Sequence, residues 1–124
     1  MADAAGVANA FVDAYNAGDD EALLALCAEN IEVVHHNRGV AISGREAFGG
    51  LLGAFKGAFP DKRFVDRRAE HSDGDTAVIA HTWTGTATAP VPGFAEAAGD
   101  VAKLDLCTLY TVKDGLIVAY HDYG

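Results

Sequence analysis

The segment Arg63–Thr88 reads RFVDRRAEHSDGDTAVIAHTWTGTAT. Its middle, Ser72-Asp-Gly-Asp75, has hairpin-turn chemistry: Gly accepts positive φ and Asp can bond its own backbone. Beyond that turn Ala77, Ile79, His81 and Trp83 fall on one face of an extended chain, and Thr82, Thr84 and Thr86 on the other. A period of two predicts a strand with one side in the core. Strands are therefore expected over Arg63–His71 and Thr76–Thr88. The pattern continues C-terminally. Pro90-Val-Pro-Gly93 opens a loop of about a dozen residues, long enough to serve as a lid or rim. Strands follow over Val101–Val112 and Leu116–Tyr123, turned at Lys113-Asp-Gly115.

Upstream the period changes. Val7, Phe11 and Tyr15 recur every four residues, so Ala4–Ala17 reads as an amphipathic helix stopped by Gly18. Asp19 can cap a second helix, with Asp20 and Glu21 favoured by its dipole and Leu23, Leu26 and Cys27 as its buried stripe, ending near Asn30. Ile31–His36 reads as a strand and Asn37-Arg-Gly39 as a turn. Ser43-Gly-Arg-Glu46 has the form of a capping box. It opens a helix carrying Phe48, Leu51, Leu52, Phe55 and Phe59, which Pro60 ends. Gly49, Gly50, Gly53 and Gly57 within it suggest close packing against the sheet or a helix held by tertiary contacts.

The chain of 124 residues is 50% hydrophobic and 22% charged, which suits one globular domain over 1–124. A net charge of −9 opposes binding to nucleic acid or to anionic membranes. The first residues carry no signal-peptide pattern, and no apolar run reaches the roughly 20 residues of a membrane span. A cytoplasmic location follows as an expectation, with Cys27 and Cys107 as small buried hydrophobes in a reducing compartment.

The order α-α-β-α-β-β-β-β carries three further marks. They are Asn16-Ala-Gly-Asp19 between the first helices, Phe59-Pro-Asp61 after the third, and Lys113-Asp-Gly-Leu-Ile-Val118 before a polar-aromatic end. Together these resemble the nuclear transport factor 2-like superfamily, and within it the SnoaL-like, polyketide cyclase-like branch. The resemblance implies an α+β cone: three helices packed on a curved, mixed or antiparallel sheet, a pocket between them, and a homodimer. It also implies a small-molecule ligand or substrate and no cofactor. Laid on the steroid isomerases of the superfamily, His35 falls where they carry the aspartate base. Phe11 falls where they carry the oxyanion tyrosine, and Thr108 or Cys107 where they carry the second acid. Neither donor is retained, so that activity is not expected. The paired aspartates and arginine of the epoxide hydrolases are not found on inward positions. Asp122 looks like the counterpart of the cyclases' acid–base aspartate.

Strand parity lets Ile31, Val33 and His35 share one face of the first strand, and Val118, Tyr120 and Asp122 one face of the last, both expected to look into the pocket. His35 facing an apolar pocket could accept or donate a proton, and a buried Asp122 would have its pKa raised toward a useful range. His81 beside Trp83 completes the candidate catalytic set. Phe11, Phe55, Trp83 and Tyr110 are expected as aromatic walls, with Tyr15 and Tyr120 as possible hydrogen-bond donors to the ligand. His35, His81 and Asp122 have the composition of a metal triad, but no spacing motif supports one and no metal is expected. His36 should face outward. Thr82, Thr84, Thr86, Cys107 and Leu109 would form the dimer face, and Lys62–Arg68 a solvated strand face. The function expected is a cofactor-free cyclase, isomerase or lyase acting on a small, largely apolar carbonyl compound. The alternatives are a non-catalytic ligand-binding domain and a dimeric scaffold of the same fold.

Overall fold

The computed structural model describes residues 3–124, so the expectations for Met1 and Ala2 lie outside the described residues. Helix α1 runs Ala4–Ala17 and buries Val7, Ala8, Phe11, Val12 and Tyr15, the stripe predicted by their spacing. Gly18, at φ 70°, reverses the chain, and its N–H caps carbonyls of the last turn. The side chain of Asp19 accepts a hydrogen bond from Ala22 N at 3.1 Å and starts α2 (Asp20–Ala25). Strand β1 (Cys27–His35) begins four residues earlier than its β-branched run suggests, so Cys27 lies on a strand, not a helix. A short 3-10 turn, His36–Arg38, leads into β2 (Val40–Ser43), an edge strand too short to stand out in the sequence.

Helix α3 (Arg45–Ala58) has Gly44 at its N-cap with no side-chain cap bond. The expected Ser43 capping box is therefore not formed, because Ser43 is held in β2 opposite Glu32. Of the four glycines of α3 only Gly49 is packed closely: a Cβ there would lie 3.2 Å from Leu24 Cδ1, while Gly50, Gly53 and Gly57 face open space. Strands β3 (Arg63–Asp73), β4 (Thr76–Thr86), β5 (Val101–Lys113) and β6 (Leu116–Tyr123) follow as antiparallel neighbours. The sheet order is β2-β1-β6-β5-β4-β3, and β1 pairs with β6 in parallel. This is an α+β cone of three helices on a mixed six-stranded sheet.

Side chains of two of the three quoted motifs act as clamps. Asn16 donates to Phe64 O at 3.0 Å and accepts from Phe64 N at 2.8 Å, locking α1 onto β3. Asp61 accepts from Thr86 N and from Thr86 Oγ1 at 2.6 and 2.8 Å, pinning the end of β4. A bulge in β6 leaves Thr111 opposite Ala119 and Val112 opposite Ile117. Ile117 thus takes the buried place that simple alternation assigns to Val118.

Three exposure expectations change. Cys107 is exposed; Cys27 is buried, and burial pushes its thiol up to about 12. Thr82 and Thr84 are buried within the chain: Thr82 Oγ1 accepts from Arg68 and donates to Asp105, and Thr84 Oγ1 donates to Ala102 O. They do not form an open row. Lys62, expected on a wet strand face, is only 6% exposed because it lies over the Tyr15 ring. No helix among the described residues is long and apolar enough to cross a membrane.

Candidate functional site

The parallel β1–β6 ladder sets His35 directly beside Asp122. Their side chains point to the same side of the sheet, with His35 Nε2 3.4 Å from Asp122 Oδ2. Burial raises the pKa of Asp122 above the usual carboxylate value, opposed by His35, Thr108, Tyr120 and Arg38. Burial lowers that of His35, which Asp122 opposes and Arg38 reinforces. The two pKa values are thus drawn toward each other. A neutral imidazole beside a carboxylate of raised basicity is an arrangement suited to moving a proton near neutral pH.

A second line of contacts reaches Asp122 from β5 and β4. Thr108 Oγ1 donates to Asp122 Oδ1 at 2.6 Å, and His81 Nε2 lies 2.9 Å from the same hydroxyl. A hydroxyl has one proton. With Thr108 giving its proton to the carboxylate, His81 must donate from Nε2 to Thr108. Burial, then Arg67 and Arg68, lowers the His81 pKa to about 4, which keeps the ring neutral, and the bond to Thr108 selects its Nε2–H tautomer. Stacking on Phe64, 4.2 Å between centroids and 5° between planes, fixes its orientation. His81 therefore meets Asp122 through Thr108, and the His35, His81, Asp122 set does not converge on a point. Among the described residues no group of three His, Cys, Asp or Glu side chains does so.

The His35–Asp122 pair stands at the polar end of a narrow pocket of about 50 Å³. Helix α3 supplies Phe48, Leu51, Leu52 and Phe55 to its wall; the sheet supplies Phe64, Trp83, Leu104, Leu106 and Tyr120; Tyr15 comes from α1. Trp83 Nε1 donates to the Tyr15 hydroxyl at 2.7 Å, which leaves that hydroxyl its own proton to offer. Of the expected wall residues, Tyr15, Phe55, Trp83 and Tyr120 line the pocket. Phe11 and Tyr110 do not: both are fully buried behind it, packed edge to face at 5.4 Å. Among the described residues the buried Tyr110 hydroxyl has no hydrogen-bond partner.

Two lining residues come from segments read only as loops. Arg38, from the 3-10 turn, places its guanidinium 5.5 Å from the centroid of the Phe94 ring and donates to Gly124 O at 2.6 Å. Phe94, from the loop after β4, packs against Phe55, Phe59 and Trp83 with edge-on geometry. Together they cover one side of the pocket, in the place expected of a rim. The usable sequence signals were a cation three residues after His35, and a lone aromatic after Gly93 in an otherwise small and acidic loop. His36 faces outward as expected. It stacks on Tyr123 at 4.2 Å, and its Nε2 lies 2.8 Å from His121 Nδ1.

The SnoaL-like domain model matches residues 8–120 of the chain. A candidate polyketide cyclase from Pseudomonas putida has a similar structure, with TM-score 0.86 and 26% identity over 100% of this chain and 92% of that one. One from Xanthomonas campestris gives 0.85 and 25% identity over 98% and 89% of the two chains. A protein of ketosteroid isomerase-like fold from Catenulispora acidiphila, solved with trimethylamine, shares the fold. Its TM-score is 0.77 at 19% identity, covering 95% of this chain and 84% of that one. No curated protein matches the chain.

Proposed function

Because the chain belongs to the SnoaL-like domain family, we propose that it is a cofactor-free acid–base catalyst acting on a small, largely apolar carbonyl compound. The supporting observation is the His35–Asp122 pair, 3.4 Å apart, at the polar end of an otherwise apolar pocket. Asp122, ionised, takes a proton from a carbon next to the carbonyl. The electron pair moves to the carbonyl oxygen, where the His35 N–H and the Arg38 guanidinium oppose the developing charge. Return of the proton to another carbon completes an isomerisation; attack of the enolate carbon on a second carbonyl of the substrate, with the proton passed to the new alkoxide, completes a ring closure; and expulsion of a β-hydroxyl, which takes the proton and leaves as water, completes an elimination. Thr108 and His81 hold the carboxylate in place, and the aromatic wall of Phe55, Trp83 and Phe94 orients the apolar part.

Such chemistry exchanges the substrate's α-hydrogen with solvent. Tetralone- and cyclohexanone-type ketones in heavy water should take up deuterium faster with the protein than in buffer. Asp122→Asn and His35→Ala should each cut that uptake about 10²-fold or more. Trp83 is the sole tryptophan, so its fluorescence reports binding separately. Ketones that quench Trp83 without exchanging would leave a ligand-binding domain in place of an enzyme.

A further inference from the structure

A cluster of metal-ligating side chains stands on the face of the sheet away from the pocket. His121 lies between Tyr120 and Asp122 on β6, so it points outward where they point in. The parallel ladder sets it beside Val34, and the turn after β1 brings His36 to it. His36 Nε2 lies 2.8 Å from His121 Nδ1. At the other nitrogen of the same ring, His121 Nε2 is 3.3 Å from Glu32 Oε2. An ionised carboxylate only accepts, so Glu32 holds the proton of a neutral His121 on Nε2 and leaves Nδ1 a bare lone pair. His36 faces that lone pair, its ring stacked on Tyr123 with 4.2 Å between centroids and 7° between planes.

We propose that His36 Nε2 and His121 Nδ1 form a two-histidine chelate for a late first-row divalent metal ion, nickel(II) or copper(II). Two nitrogens about 2.0–2.1 Å from one ion, in adjacent square-planar or octahedral positions, stand about 2.8–3.0 Å apart. The 2.8 Å between these nitrogens already meets that spacing. Adjacent tetrahedral positions need about 3.3–3.4 Å, which favours these ions over zinc. The ion takes the place of the proton between the rings. A turn of the exposed His36 ring converges both lone pairs on the ion, and the His36 proton passes through solvent from Nε2 to Nδ1. Both imidazoles stay neutral, and nothing is oxidised or reduced. Glu32 acts as carboxylates behind metal-bound histidines do, fixing the His121 ring and raising its basicity. Among the described residues no third His, Cys, Asp or Glu completes a set, so water fills the other positions. The net charge of −9 draws cations to the surface. The site does not rest on the acid–base reading, since neither His36 nor His121 lines the pocket.

The two ligands are 85 residues apart in the chain. Only the folded protein brings them together, so an ion held by both should raise the thermal midpoint. The experiment titrates the untagged chain with nickel chloride in a calorimeter and repeats the melt with the ion present. One nickel ion should bind per chain, and magnesium chloride should give no such binding. His36→Gln and His121→Gln should each weaken nickel binding at least about 10-fold and remove the rise in midpoint, and Glu32→Ala should weaken it about 10-fold. His71→Gln should change neither. Native affinity in His36→Gln or Glu32→Ala, loss of binding in His71→Gln, or a native midpoint that nickel does not raise overturns the proposal. His36 is exposed, so its variant carries the test even if His121→Gln does not fold.

Discussion

Thr108 has one proton, and two buried groups depend on where it points. Its bond to Asp122 lowers the carboxyl's pKa against the burial that raises it. Thr108→Val, nearly the same shape, removes that bond and leaves His81 Nε2–H unsatisfied, at about 1–3 kcal/mol. The Asp122 pKa should rise further, moving the acid limb of the exchange-rate profile to higher pH, while Thr108→Ser keeps it near the original position. A pH–rate profile measures this, and an unmoved limb in a folded valine variant would rule out the Thr108 contact as a control on Asp122. Parity along the strands was enough to put His35 and Asp122 on the pocket side of the sheet, because alternation is a local rule. It could not find the role of Thr108, which depends on β5 register: Thr108 stands opposite Asp122 only once the hairpin is paired. Phe11 and Tyr110 show the limit from the other side. Their inward direction is correct, but inward includes a second layer behind the pocket wall, and depth is not written in a period of two.

Helix α3 was legible as an element. The apolar stripe made it a helix and Pro60 marked its end, while of the two readings its glycines allowed, close packing holds only at Gly49, against Leu24 of α2. Gly53 is exposed, helical and free of neighbours, so Gly53→Ala should stabilise the protein by about 0.5–1 kcal/mol in a denaturant titration. Gly49→Ala should gain less or lose, because its Cβ would press on Leu24. The strands from Arg63 onward were readable because each turn carries Gly and Asp. Strand β2 was not, being four residues long and stabilised by its pairing with β1 more than by its own composition.

For the molecule as a whole, buried neutral imidazoles set the response to acid. His81 titrates at 6.5 when unfolded and at about 4 when folded. Between those values the unfolded chain binds more protons, so stability rises with pH and is lost as pH falls through that window. The loss amounts to about 3 kcal/mol from His81, and His35 adds to it in the same direction. Asp122 acts oppositely: its folded pKa is raised, so it contributes stability at low pH that fades as pH rises. Denaturant titrations at pH 6.5 and 4 should therefore show a smaller drop for His81→Gln than for the native chain; equal drops would contradict a buried neutral His81. A further consequence lies in strand order, for β6 fills the gap between β2-β1 and β5-β4-β3. A ribosome delivers His35 long before Asp122, and until β6 docks the nascent protein presents β1 and β5 as two raw edges, open to pairing with other chains. The strand that brings Asp122 to His35 is also the one that seals the molecule against aggregation, so the cell should meet this protein either whole, with its pocket formed, or sticky and without one.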